Sequence, residues 1–154
     1  MGAMTDTTAS HPHLTPADGP DLRTSDHCAN RLRRVLRMNA ANSFAAGLLL
    51  AAAPTRIDEL LDTGHPGWIR VVGIALLPFA ALCAWLSSTS IDELRRTTPL
   101  IVAGDIAWVV ASVATVLLGW YSTGGAVAVL AMAAVVDVFA LLQWSAWRKL
   151  RPTR

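Results

Sequence analysis

The sequence predicts an all-α protein: a bundle of four transmembrane helices with both termini in the cytoplasm and a disordered polar tail at the front. Three observations predict it. Apolar residues make up 53% of the 154-residue chain and charged residues only 16%. Mean hydropathy is +0.43. Charges gather at the ends and in two loops, and four long apolar runs lie between them, as expected of a chain dissolved in lipid.

The tail spans residues 1–30. It is rich in Thr, Ser, Pro, Asp and His and nearly lacks apolar side chains, so it has too little to bury to fold alone. Met1-Gly2-Ala3 ahead of Met4 reads as an expression scar. The membrane domain spans 31–151. Its first apolar run covers about 35–53, behind Arg31, Arg33, Arg34 and Arg37, and stops at Pro54. The second covers about 68–86, the third about 98–120 and the fourth about 125–147. Each is roughly 19–23 residues, long enough for a hydrocarbon core of about 30 Å. Backbone groups must be satisfied internally there, and runs of this length do so as helices. Thr97 and Thr98 stand ahead of Pro99, where they can cap amides while the proline takes the first turn.

Lysine and arginine set the orientation. The tail, the middle loop (Arg95, Arg96) and the C-terminus (Arg148, Lys149, Arg151, Arg154) hold nearly all of them, and the outer loops hold Arg56 and Arg70. This places both termini inside. Trp68, Trp120 and Tyr121 then mark the outer interface, and Trp85, Trp144 and Trp147 the inner one. Arginine greatly outnumbers lysine and alanine is abundant, which points to a GC-rich bacterial genome, and the expected location is the bacterial cytoplasmic (inner) membrane. A twin-arginine signal is the competing reading of Arg33-Arg34 with Ala51-Ala52-Ala53; three further apolar runs favour an uncleaved first helix.

Smaller features follow. Thr55 to Leu61 reads as a short interfacial helix, with Thr55 and Asp58 as its capping box. Ile57-Asp58-Glu59-Leu60 recurs as Ile91-Asp92-Glu93-Leu94, and chance recurrence of an amphipathic string explains it better than duplication. Ala103, Ala107, Ala111, Thr115 and Gly119 form a row of small residues for close helix contact, inside the bundle or between subunits. Pro78 kinks the second helix.

The net charge of +2 is too small for a nucleic-acid partner, and no basic stripe with interleaved aromatics occurs. Cys28 and Cys83 form no Cys-x-x-Cys pair, which argues against thiol redox chemistry. His11, His13, His27 and Cys28 lack metal-site spacing. No phosphate loop, nucleophile elbow or dinucleotide fingerprint occurs. No metal and no cofactor is expected.

The candidate site lies at membrane depth, where ionisable groups are costly and serve as functional hypotheses. Asp105, six residues past Pro99, sits roughly 9 Å inside the inner surface. Asp137, eleven residues before Arg148, sits roughly 16 Å deep. Together with Arg37, Asn39, Asn42, Trp108, Gln143 and Trp144 they can line one inward-facing polar cavity. There Asp105 and Asp137 would be acid and base, and the others would bind or orient. Interhelical hydrogen bonding is the plainer role for the same groups, with Arg37 neutralising Asp105.

Arg34 to Gly47, Arg70-Val71-Val72-Gly73 with Leu77-Pro78-Phe79-Ala80, Asp105-Ile106-Ala107-Trp108 and the Gln143 to Arg148 ending resemble a loose class of small bacterial four-helix membrane proteins. The resemblance covers most of the chain after residue 30 and implies no reaction. Small multidrug resistance transporters are similar in having four short helices. They carry a glutamate in the first helix, where this chain has Asn39 and Asn42.

Three functions compete. The leading one is a non-enzymatic accessory or binding subunit beside a larger membrane partner. The second is a membrane-embedded acid–base enzyme (cyclase, isomerase or epoxide-opening type) on a lipophilic small molecule. The third is a small proton-coupled transporter, made as a homo-oligomer because four helices enclose little space.

Overall fold

The computed structural model describes residues 20–150. It contains five helices, α1 (Pro20–Ala52), α2 (Pro54–Leu61), α3 (Pro66–Leu86), α4 (Ile91–Leu117) and α5 (Thr123–Leu150), and no strand among the described residues. All but α2 are long and apolar enough to cross a membrane. Met1 to Ala3, His11, His13, Arg151 and Arg154 lie outside the described residues.

Two helix starts differ widely from the sequence reading, while the other ends lie within a turn of it. The first helix starts at Pro20 and not near 35, so residues 20–30, expected within the tail, are helical. Ala29, Leu32, Leu36 and Ala40 explain this. They repeat at helical spacing, and all are buried in one cluster with Leu86, Leu94, Ile101, Trp147 and Leu150. The arginines between them fall on the other faces. A stripe of this kind stabilises a helix by tertiary packing whatever its average polarity.

The third long helix starts at Ile91 and not at 98. Its cap is Ser90, whose Oγ accepts from the Glu93 amide at 3.3 Å. Thr97 and Thr98 are therefore interior residues, and their hydroxyls donate to Glu93 Oε1 and to the Leu94 carbonyl. Pro99 sits mid-helix, where it cannot donate to the carbonyl four residues back. That carbonyl belongs to Arg95, and it accepts instead from Trp147 Nε1 at 2.8 Å. Trp147, expected in the interfacial belt, is thus buried and bonded. The bond explains how a proline is tolerated here. Trp147→Phe is expected to cost about 1 kcal/mol. In a Pro99→Ala background the restored amide takes over the Arg95 carbonyl, so the same change is expected to cost less. A double-mutant cycle on unfolding midpoints checks this coupling.

The ends of the helices are tied locally. Ser87, Ser88 and Thr89 close α3 by donating to the carbonyls of Ala84, Trp85 and Leu86. Arg33 donates to the Thr89 carbonyl at 2.8 Å, and Arg95 Nε to the Leu150 carbonyl at 2.7 Å. At the opposite end, Gly119 adopts φ 73°. The Gly119 and Trp120 amides turn back to the Val116 and Thr115 carbonyls, a glycine-terminated helix end. α2 forms over the expected stretch, but Thr55 does not cap it. Its N-cap is Ala53, with no side-chain bond. Asp58 instead accepts from the Thr63 hydroxyl and the His65 amide, closing the following turn.

α1 is the central helix. It packs closely on α3 and also touches α5, α5 pairs with α4, and α3 and α4 touch little. The α1–α3 contact is backbone to backbone. A Cβ on Gly73 would stand 2.5 Å from the Ala51 nitrogen, and one on Gly47 2.9 Å from the Gly73 oxygen. Ala103, Ala107 and Ala111 are exposed on the outside of α4, so that row of small residues does not serve packing within the chain.

Candidate functional site

Three of the predicted residues converge. Asp105 is 2% exposed, and Asn39 and Gln143 are fully buried. They come from α4, α1 and α5. Asn39 Nδ2 donates to both Asp105 oxygens, at 3.2 Å (Oδ1) and 3.0 Å (Oδ2). Gln143 Nε2 donates to Oδ2 at 3.0 Å. Ser43, one turn along α1, donates to Asn39 Oδ1 at 3.4 Å. The carboxyl group is thus held by neutral carboxamides alone, and its bonds join three helices. Gln143 Oε1 is buried without a hydrogen-bond partner.

The other predicted residues are elsewhere. Arg37 is exposed and does not neutralise Asp105; it lines a groove of about 510 Å³ between α1 and α3 with Ala40, Phe44 and Leu77. Asn42 and Trp108 are half-buried. Asp137 is exposed on the outer flank of α5. It lines a second groove, of about 280 Å³, with Val102, Ile106, Ala140, Leu141 and Trp144. Asp105 lines neither groove. The expected common cavity of Asp105, Asp137, Arg37 and Asn42 does not form.

Helical phase accounts for this sorting. Residues along a helix are spaced about 100° apart. Asp137 precedes Gln143 by six residues, so the two point about 120° apart. Arg37 precedes Asn39 by two and points roughly 160° away from it. With Asn39 and Gln143 turned inward, neither charge can join them. The same arithmetic puts Asn42 about 60° from Asn39, on the flank where it is found. Cys83 was not singled out as a site residue, yet it is fully buried in the core beside this layer. It lies one turn after Phe79, the side chain that covers Gly104 of α4.

Chemically, the cluster is a closed hydrogen-bond lock. Both carboxyl oxygens are bonded, and the bonds tie α4 to α1 and to α5. Among the described residues no group of three His, Cys, Asp or Glu is close enough to hold a metal ion.

The chain has no significant match among protein-family models, curated proteins or solved structures.

Proposed function

We propose that the chain is a small polytopic protein of a bacterial inner membrane and a non-enzymatic accessory or binding subunit that packs against a larger membrane partner. The observation that carries this reading is the sealed environment of Asp105. Asp105, the one buried carboxylate among the described residues, is consumed by structural bonds from Asn39 and Gln143.

Membrane insertion is supported by what the bundle exposes. Leu48, Leu49, Val110, Leu117, Val127, Val138 and Leu141 are all more than half exposed, a surface that suits lipid and not water. Orientation is supported by charge. Arg33 bonds beside the α3–α4 loop and Arg95 beside the end of α5, so the arginine-rich segments share one end of the bundle, the cytoplasmic one. Single cysteines at Glu59 and Ser88, in a chain with Cys28 and Cys83 replaced, test this orientation. Glu59→Cys is expected to react with an impermeant maleimide on intact cells, and Ser88→Cys only after permeabilisation. The reverse pattern would invert the topology.

A second reading, proton-linked chemistry or transport through Asp105, draws on one observation. The unpartnered Gln143 Oε1 leaves an acceptor free in the Asp105 layer. Purification of the full chain from its native membrane in mild detergent, together with flux measurements in vesicles, decides between the two. The accessory reading expects a partner at fixed stoichiometry and no proton-driven flux. A chain that purifies alone and carries flux abolished by Asp105→Asn would overturn it.

A further inference from the structure

We propose that the seam between α4 and α5 around Asp137 receives a membrane-spanning helix of another protein, and that this helix carries a lysine or arginine level with the Asp137 carboxylate. The proposal rests on the accessory-subunit reading and names what the partner must present.

Depth can be measured from the Asp105 layer, because Asn39 and Gln143 both donate to the Asp105 carboxylate and so lie level with it. Asp137 is six residues up α5 from Gln143, roughly 9 Å further toward the outer side. That is deep in the apolar span, far from either end of the helix. Its side chain nevertheless points outward, into the groove formed by Val102 and Ile106 of α4 and by Ala140, Leu141 and Trp144 of α5. No ion pair among the described residues reaches it. A carboxylate placed there and left to the lipid is strongly disfavoured, whereas intramembrane charges that persist are paired.

No described residue of the chain supplies the pair. Six residues along α1 and α4 from the Asp105 layer come Ala45 and Ala111. The Gly47–Gly73 contact puts Leu77 of α3 at the same level. The cations nearest in depth are Arg37, roughly 12 Å toward the inner side of that level, and Arg70, roughly 10 Å toward the outer side. A second copy related by rotation about the membrane normal keeps every residue at its own depth. It would therefore bring apolar side chains or another Asp137, and no cation. Charge complementarity thus selects a different chain with a basic group at mid-span. Apart from Asp137 the groove is apolar on both walls, which suits one helix laid along the seam.

The test uses the full chain in phosphatidylcholine vesicles and a synthetic leucine–alanine helix of about 23 residues. The helix carries either one central arginine or leucine in its place, and association is read by fluorescence energy transfer. The arginine helix is expected to bind about tenfold more tightly or better than the leucine helix, a step of about 1.4 kcal/mol. Asp137→Leu is expected to erase that preference while leaving the unfolding midpoint in place, since Asp137 is exposed on the flank of the bundle. Equal binding of the two helices, or a preference that survives Asp137→Leu, would overturn the proposal. Self-association of labelled chains that depends on Asp137 would overturn it too, by making the seam a contact between copies. The accessory reading fails separately. A native partner that still co-purifies with Asp137→Leu keeps that reading and removes this one.

Discussion

Asp105→Leu is expected to lower the unfolding free energy by about 2–4 kcal/mol. Leucine is close in size and removes no packing. The loss comes from two amide groups stranded in a dry interior, Asn39 Nδ2 and Gln143 Nε2, both of which donate to the Asp105 carboxylate in the native chain. A buried donor left without a partner costs about 1–3 kcal/mol. Interhelical hydrogen bonds in lipid are worth less on average, about 0.6 kcal/mol, because a polar group in the separated helices still finds some partner. The lower half of the range follows if Asn39 and Gln143 find each other after the change, the upper half if they do not. Denaturant titration in micelles, with helix content as the signal, measures it. An unfolding free energy equal to the native value would show that the layer contributes nothing to stability.

Gly73→Val is expected to be as damaging for a different reason. The Cβ of any residue at 73 would press on Ala51 nitrogen, Gly47 oxygen and the Leu50 carbonyl carbon at 2.5–2.8 Å. These are backbone atoms, so no rotamer change relieves the clash and α1 must move off α3. Overpacking of an ordinary core costs about 1–3 kcal/mol. With backbone on the other side, a value of about 3 kcal/mol is expected, with loss of α1–α3 crosslinking in a cysteine pair across the contact. Gly67→Ala and Gly124→Ala are the controls. A Cβ at either position meets nothing within 4 Å, and both are expected to fall within about 0.5 kcal/mol of the native chain. Equal effects at Gly67 and Gly73 would contradict the close α1–α3 approach.

The four long helices were legible because each carries an apolar run matched to one length scale, and no neighbouring element blurs it. What lies next to the runs was harder to read. The stripe Ala29, Leu32, Leu36, Ala40 is interleaved with Arg31, Arg33, Arg34 and Arg37. A reading by average polarity puts those residues in a tail, whereas a reading by spacing puts them in a helix. Pro99 behind two threonines has the local signature of a helix start. The proline is tolerated mid-helix because Trp147 of α5, 52 residues away in sequence from Arg95, satisfies the carbonyl that it frees. No local rule contains that contact.

The candidate site divides in the same way. Asp105, Asn39 and Gln143 were recognisable as polar groups in apolar runs. Their meeting depends on the order of helices around the bundle, which the sequence does not encode in any single segment. Asp137 and Arg37 share only membrane depth with them. Phase along α5 and α1 separates them, and that arithmetic is available from sequence once one residue on each helix is known to face inward.

Whether Asp105 is a structural lock is decided by the behaviour of Asp105→Asn in the purified chain. The new side chain keeps one carbonyl oxygen for Asn39. Its amide can donate to Gln143 Oε1, the acceptor that lacks a partner in the native chain, after the Gln143 amide turns over. One of the three native bonds, from Asn39, is kept, and the bond from Gln143 is replaced by one running the other way. An unfolding free energy within about 1 kcal/mol of native is expected, together with full retention of the co-purifying partner. A variant that folds as well as the native chain but loses its partner or a proton-dependent activity would contradict it, and would make the ionisable carboxyl itself the functional group.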